Sequence, residues 1–171
     1  MSFCREDLLL YGITDGSFAG EDSLETLVDL ALRGGVTMVQ YLEKYKDDED
    51  FKKEAMKLLE LCRAYKVPLI INDRVDLALE IGADGVHVGG EDMDPVKARE
   101  ILGEGKILGI SAKTADQAQR AELAGADYIG SGAAFTTDSK DTTCIGPEGI
   151  KEVANSVAIP TVAIGGITLE N

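Results

Sequence analysis

"GADGVHVG" at residues 82–89 and "GADYIGSG" at residues 125–132 are one passage written twice, 43 residues apart. Each copy reads as a helix that ends at a glycine, then a short turn, then a strand. Glycine suits the first position because a helix often closes on a residue in the left-handed conformation. A repeat of this length spans two βα units. That is the shift expected of a closed barrel, in which odd and even strands fill alternate layers.

The same alternation extends in both directions from the repeat. Short apolar runs at 8–14, 37–41, 68–72, 85–89, 107–111, 128–132 and 160–165 read as strands. They are continuous rather than alternating, as parallel strands covered on both faces should be. Helical patterns lie between them. "SLETLVDLALRG" opens on a serine cap and closes at Gly34. "DEDFKKEAMKLLELCRAY" places Phe51, Ala55, Leu58, Leu59 and Cys62 on one face. "DPVKAREILGEG" has Asp94 as cap and Pro95 at the first helical position.

Strict βα alternation fits either a doubly wound sheet or a barrel. The first βα turn, "GITDGSFAGED", carries no Gly-x-Gly-x-x-Gly fingerprint in place, which weakens the dinucleotide-binding version, and the repeat favours the barrel. The expected fold is therefore α/β, a TIM (β/α)8-type barrel in one domain over residues 1–171. Seven parallel strands are countable, whereas the closed form has eight in roughly 200–250 residues. The expectation is thus a barrel incomplete at its C-terminus, with the eighth βα unit missing after the seventh strand. Thr168 reads as the cap of a further helix. Strands one and seven should then present open edges, which a homo-oligomer, a swapped segment or the chain's own terminus would cover.

Composition narrows the functions. Net charge is −14, from 31 acidic and 17 basic residues, so no basic face is available for nucleic acid. No apolar run approaches a membrane span, and "MSFCREDLLLYG" lacks the order of a signal peptide; cytoplasmic placement is expected. Cys4, Cys62 and Cys144 are odd in number and far apart, which suits reduced thiols. His87 is the single histidine, so a multi-histidine metal centre is excluded.

In a barrel the chemistry sits where strands end. Asp73 and Asp92 follow strands three and four, whose spacing in a sheet is about 4.8 Å. Two such carboxylates can share a hard cation such as Mg²⁺, or each can cap a turn. Gln40, Leu42 and Lys44 would share one face of an extended stretch; the amide and ammonium can hold a diphosphate or be ordinary solvated groups. Asn72 precedes Asp73, and Ser111 ends strand five with Lys113 and Thr114 beyond it. Thr137, Ser139 and Lys140 lie on a polar loop, fit for phosphate capture and closure or for plain surface. Gly165 and Gly166 precede a helix start, where free N–H groups bind phosphate. His87 alternates with Val86 and Val88 and reads first as a packed residue.

These motifs, in this order, resemble the thiamine-phosphate synthase family. "GGVTMVQYLEK" is similar to its Gly-Gly-x-x-x-x-Gln-x-Arg-x-Lys, and "VPLIINDRVDLALEIGADGVHVGGEDM" is the most specific piece. "ILGIS", "GADYIGSGAAFTTDSK" and "IPTVAIGGIT" follow in register. The resemblance implies a (β/α)8 barrel that couples hydroxymethylpyrimidine diphosphate to a thiazole phosphate, giving thiamine phosphate and pyrophosphate, with Mg²⁺ assisting departure of the diphosphate. It implies Asp73 and Asp92 as metal ligands, and Gln40, Lys44 and Asn72 around the pyrimidine and its diphosphate. Ser111 would lie near pyrophosphate. Thr137, Ser139, Gly165 and Gly166 would hold the thiazole phosphate, and Lys140 matches the lysine of the same loop. Lys44, Ser111 and Lys140 are the residues it places closest to the chemistry.

Leu42 stands where the family has an arginine, which removes a charge-assisted contact worth roughly 1.5–3 kcal/mol. Gly90 stands where glutamine is usual. The competing readings are a TenI-type thiazole tautomerase, against which the "ND" and "ED" motifs speak, and a catalytically impaired ligand-binding remnant.

Overall fold

The computed structural model describes residues 3–16, 22–89, 93–137 and 142–171. After a single 3-10 turn over Arg5–Leu8, strands and helices alternate. They are β1 (Tyr11–Ile13), α1 (Leu24–Arg33), β2 (Met38–Tyr41), α2 (Asp48–Tyr65), β3 (Leu69–Asn72), α3 (Val75–Ile81) and β4 (Gly85–Val88). There follow α4 (Pro95–Leu102), β5 (Ile107–Ser111), α5 (Ala115–Leu123), β6 (Tyr128–Ser131), α6 (Gly146–Asn155) and β7 (Thr161–Ala163).

Helices α1, α2 and α4 begin where side chains satisfy their first N–H groups. Ser23 Oγ accepts from the Thr26 amide at 3.2 Å, Asp47 Oδ1 from Asp50 at 2.9 Å and Asp94 Oδ1 from Lys97 at 3.1 Å. The apolar face of α2 is buried as its spacing requires: Phe51, Ala55, Leu58, Leu59 and Cys62 are each at most 3% exposed. Burial pushes the Cys62 thiol up to about 12, with the Asp84 carboxylate adding to the effect. This cysteine is a packing residue.

The chain divides into two compact units, residues 1–87 with 101–107, and residues 88–100 with 108–171. In the first unit β1, β2, β3 and β4 pair in parallel and in chain order. Its core includes Met38, Tyr41, Phe51, Leu58 and Ile70, all fully buried. In the second unit β5, β6 and β7 pair in the same way, over a core that includes Leu108, Tyr128, Ile129 and Val153. A right-handed crossover repeated without reversal keeps every connecting helix on one face of a unit's sheet. A doubly wound sheet would reverse its order; neither unit does. β1 pairs with β2 alone and β7 with β6 alone among the described residues. Leu9, Leu10 and Ile13 are exposed around β1, and Ile164, Ile167 and Leu169 beside β7.

The first strand is shorter than the apolar run 8–14. Leu8 is buried as the last residue of the 3-10 turn, and Leu9 and Leu10 stay exposed. Hydrophobicity alone does not separate a turn that buries one leucine from a strand.

The repeated aspartate has a specific task. Asp84 lies just before β4; its Oδ2 accepts from the Leu69 amide at 2.9 Å, and its own amide donates to the Leu69 carbonyl at 3.1 Å. Asp127 lies just before β6 and repeats this with Leu108, at 2.8 Å in both directions. Thr37, just before β2, does so with Leu10 at 2.9 Å in both directions. Each even strand is thus locked at its start to the odd strand before it. Leu69 is fully buried, so Asp84→Ala orphans its N–H. A loss of about 1–3 kcal/mol is expected by urea denaturation, and a variant as stable as the parent would show that the clamp carries no stability.

No helix among the described residues is long and apolar enough to cross a membrane.

Candidate functional site

In the first unit the ends of β2 and β3 carry the polar side chains. Gln40 is 3% exposed, and its Nε2 donates to the Tyr11 hydroxyl at 2.7 Å. Its amide oxygen is thereby presented as an acceptor. β2 stops at Tyr41, so the single extended face expected for residues 40, 42 and 44 ends there. Leu42 begins a loop, and its amide donates to Thr14 Oγ1 at 3.0 Å. Lys44 lies in this loop with its side chain exposed.

β3 ends at Asn72, which is in register with His87 of β4. Asp73 follows with φ of +59°, a left-handed conformation that aspartate tolerates better than most residues. Its amide donates to the His87 carbonyl at 2.9 Å, and the Arg74 amide donates to the Asn72 carbonyl at 2.7 Å. The Asn72 amide group donates to Asp73 Oδ2 at 2.6 Å. The cap position of α3 falls to Arg74, whose side chain makes no capping hydrogen bond. His87 is buried, at 9% exposure. Asp92, with Gly90 and Glu91, lies outside the described residues.

In the second unit Ser111 closes β5, partly exposed and in register with Gly130. Lys113 reaches Thr142 Oγ1 at 2.7 Å, and Thr114 caps α5 by accepting from Gln117 at 3.3 Å. Thr137 lies in the loop after β6, partly exposed. Ser139 and Lys140 lie outside the described residues.

After β7 the ladder to the β6 side continues into the glycine turn. The Ala134 amide donates to Ile164 at 2.8 Å and the Phe135 amide to Gly165 at 2.9 Å. Gly165 and Gly166 have φ of +98° and +62°. A β-carbon on Gly166 would stand 2.3 Å from the Thr136 carbonyl oxygen, so only glycine fits the approach. No helix is assigned after Thr168, but the hydrogen bonds of a cap are present there. Thr168 Oγ1 accepts from Glu170 at 3.2 Å, while Asn171 Oδ1 accepts from the Thr168 amide at 2.8 Å, the reciprocal arrangement of a capping box. Asn171 Nδ2 also donates to the Gly166 carbonyl at 3.0 Å. Among the described residues the Gly166 and Ile167 amides reach no backbone carbonyl, and such donors suit an anion.

Each unit thus gathers its predicted residues at strand ends: Gln40, Asn72 and Asp73, with Lys44 on the adjoining loop, in the first, and Ser111, Thr137, Gly165 and Gly166 in the second. Sequence reasoning missed Tyr11, Thr14 and Arg74, which hold the first group in place. Only the position of Arg74, directly after Asn72 and Asp73, offered a signal.

The family described as "Thiamine monophosphate synthase" matches residues 10–171. The thiamine-phosphate synthase of Clostridium acetobutylicum is 48% identical over 166 residues, covering 96% of this chain and 79% of that protein. That of Methanobrevibacter smithii is also 48% identical, with the same coverage. Among solved structures, the thiamine phosphate pyrophosphorylase of Pyrococcus furiosus superposes with a TM-score of 0.87 at 40% identity, covering 98% of this chain and 79% of that one.

Gly166→Ala is expected to cost about 1–3 kcal/mol, since it adds a β-carbon to a left-handed, close-packed site. Chemical denaturation measures this. An unchanged midpoint would mean that the turn relaxes freely and is not held as described.

Proposed function

This chain belongs to the thiamine monophosphate synthase family, and on that premise we propose that it couples hydroxymethylpyrimidine diphosphate to a thiazole phosphate. It is a transferase of thiamine biosynthesis, with a β/α barrel-type fold. In the coupling, the bond from the pyrimidine methylene to the diphosphate oxygen breaks, and its electron pair leaves with pyrophosphate. The ring nitrogen of the thiazole then supplies the pair for the new carbon–nitrogen bond. The products are thiamine phosphate and pyrophosphate. The observation that carries the reading is the Asn72-Asp73 turn, held at the end of β3 with its carboxylate oriented by the neighbouring amide.

The roles follow from donor chemistry. Gln40 offers its amide oxygen to the amino group of the pyrimidine, because its nitrogen is committed to Tyr11. Asn72 and the exposed Lys44 ammonium serve the diphosphate, and the Ser111 hydroxyl and Lys140 serve the pyrophosphate as charge develops. The Thr137 and Ser139 hydroxyls, with the Gly165-Gly166 turn, serve the thiazole phosphate. Leu42 contributes no charge, so Lys44 bears more of the work on that side.

Mg²⁺ suits this donor set. Among the described residues no three His, Cys, Asp or Glu side chains gather as a metal cage, and Mg²⁺ does not need one: it takes one or two carboxylates and fills its shell with water and phosphate oxygens. Asp73 and Asp92 would hold it. When bound, the ion would supply Lewis-acid stabilisation of the charge on the departing pyrophosphate. The reduced cysteines suit a cytoplasmic setting.

The test is synthesis from both substrates with and without Mg²⁺, the product identified by mass. Thiamine phosphate is expected only with the ion present, and Asp73→Asn should lower kcat/KM by about a hundredfold or more. No product at high enzyme concentration would end this reading, and proton exchange on the thiazole phosphate alone would favour the tautomerase instead.

A further inference from the structure

The loop over residues 42–47, which carries Lys44, is held at both ends by side chains that do not belong to the proposed binding set. At its start, the Leu42 amide is tied to Thr14. At its end, Lys46 Nζ pairs with Glu54 Oε2 at 2.6 Å, and the same oxygen accepts from the Tyr41 hydroxyl at 2.5 Å. The Lys46 carbonyl accepts from Arg74 Nη1 at 3.1 Å.

Arg74 makes three contacts at once. Its second amino group pairs with Asp48 at the start of α2, and its guanidinium lies 4.4 Å from the centroid of the buried Phe51 ring. A planar guanidinium can stack and donate in its own plane simultaneously, which an ammonium cannot. The backbone of Arg74 is equally fixed: its amide donates to Asn72 and its carbonyl accepts from Ala78 at 3.0 Å. One rigid side chain therefore bridges the turn bearing Asn72 and Asp73 to the loop bearing Lys44. Both belong to the first unit.

We propose that Arg74 is a positioning residue for the pyrimidine diphosphate. It does not touch the substrate; it holds the Lys44 loop at a fixed reach from the Asn72-Asp73 turn. This rests on the functional reading above. It also adds a claim of its own: the effect of Arg74 is specific to one of the two substrates, because the groups it spans serve only the diphosphate.

The experiment compares wild type with Arg74→Gln, Arg74→Lys and Asp48→Asn, with each substrate varied separately. Arg74→Gln is expected to raise KM for the pyrimidine diphosphate roughly tenfold, with KM for the thiazole phosphate within about twofold of wild type. Arg74→Lys should recover part of the loss, and Asp48→Asn, which removes only the exposed ion-pair partner, should give a smaller shift in the same direction. Amide hydrogen exchange should quicken over residues 42–47 in Arg74→Gln while α5 and α6 are unchanged.

Equal rises in both KM values, or an unchanged KM for the diphosphate with quickened loop exchange, would overturn the proposal while leaving the functional reading standing. Unchanged exchange would show that Arg74 does not hold the loop. If wild type makes no thiamine phosphate, the functional reading fails on its own account. Calorimetric titration of each substrate into wild type and Arg74→Gln then still decides: equal affinities for the pyrimidine diphosphate, or equal losses for both substrates, refute positioning, and a loss for the diphosphate alone upholds it.

Discussion

The fold rests on a small reciprocal contact made three times. A residue just before an even strand uses its side chain to accept from the odd neighbour's amide, and returns its own amide to that residue's carbonyl. Thr37 with Leu10, Asp84 with Leu69 and Asp127 with Leu108 are the three cases. Because side chains in a strand alternate faces, a slip of one residue would turn every core side chain outward. The contact fixes register where strands enter, and so fixes which residues emerge where they leave. Asn72 and Ser111, at the far ends of the clamped strands β3 and β5, lie at strand ends for that reason.

Much of this was legible in the sequence. α2 runs over the very residues that its apolar spacing marks, and Ser23 and Asp94 cap where their positions indicate. The repeat that points to a barrel is also the repeat that carries the clamp, but its reason was hidden. An aspartate before a strand reads as a turn residue, and nothing local reveals that it reaches a neighbouring strand. Thr37 was further concealed by being a different residue type with the same task. The first strand was overcalled because an apolar run does not show which leucines a turn leaves exposed.

The candidate site was legible as a set of residue types and illegible as an arrangement. Asn72, Asp73, Gly165 and Gly166 announce themselves by chemistry and by position after strands. The left-handed backbone at Asp73, the Tyr11 hydroxyl that orients Gln40 and the Arg74 bridge depend on long-range packing, which spacing cannot encode. Leu42 has the opposite character. Its position in the sequence draws notice to the side chain, whereas in the structure its backbone amide is tied to Thr14, the residue that follows β1.

The central claim of the proposal is that Asn72, at the end of β3, serves the pyrimidine diphosphate and Thr137, in the loop after β6, serves the thiazole phosphate. Calorimetric titration of each substrate into Asn72→Ala and Thr137→Val tests it most directly. The account predicts that Asn72→Ala weakens only the pyrimidine diphosphate and Thr137→Val only the thiazole phosphate. Parallel losses for both ligands in either variant, or no loss in either, would contradict it.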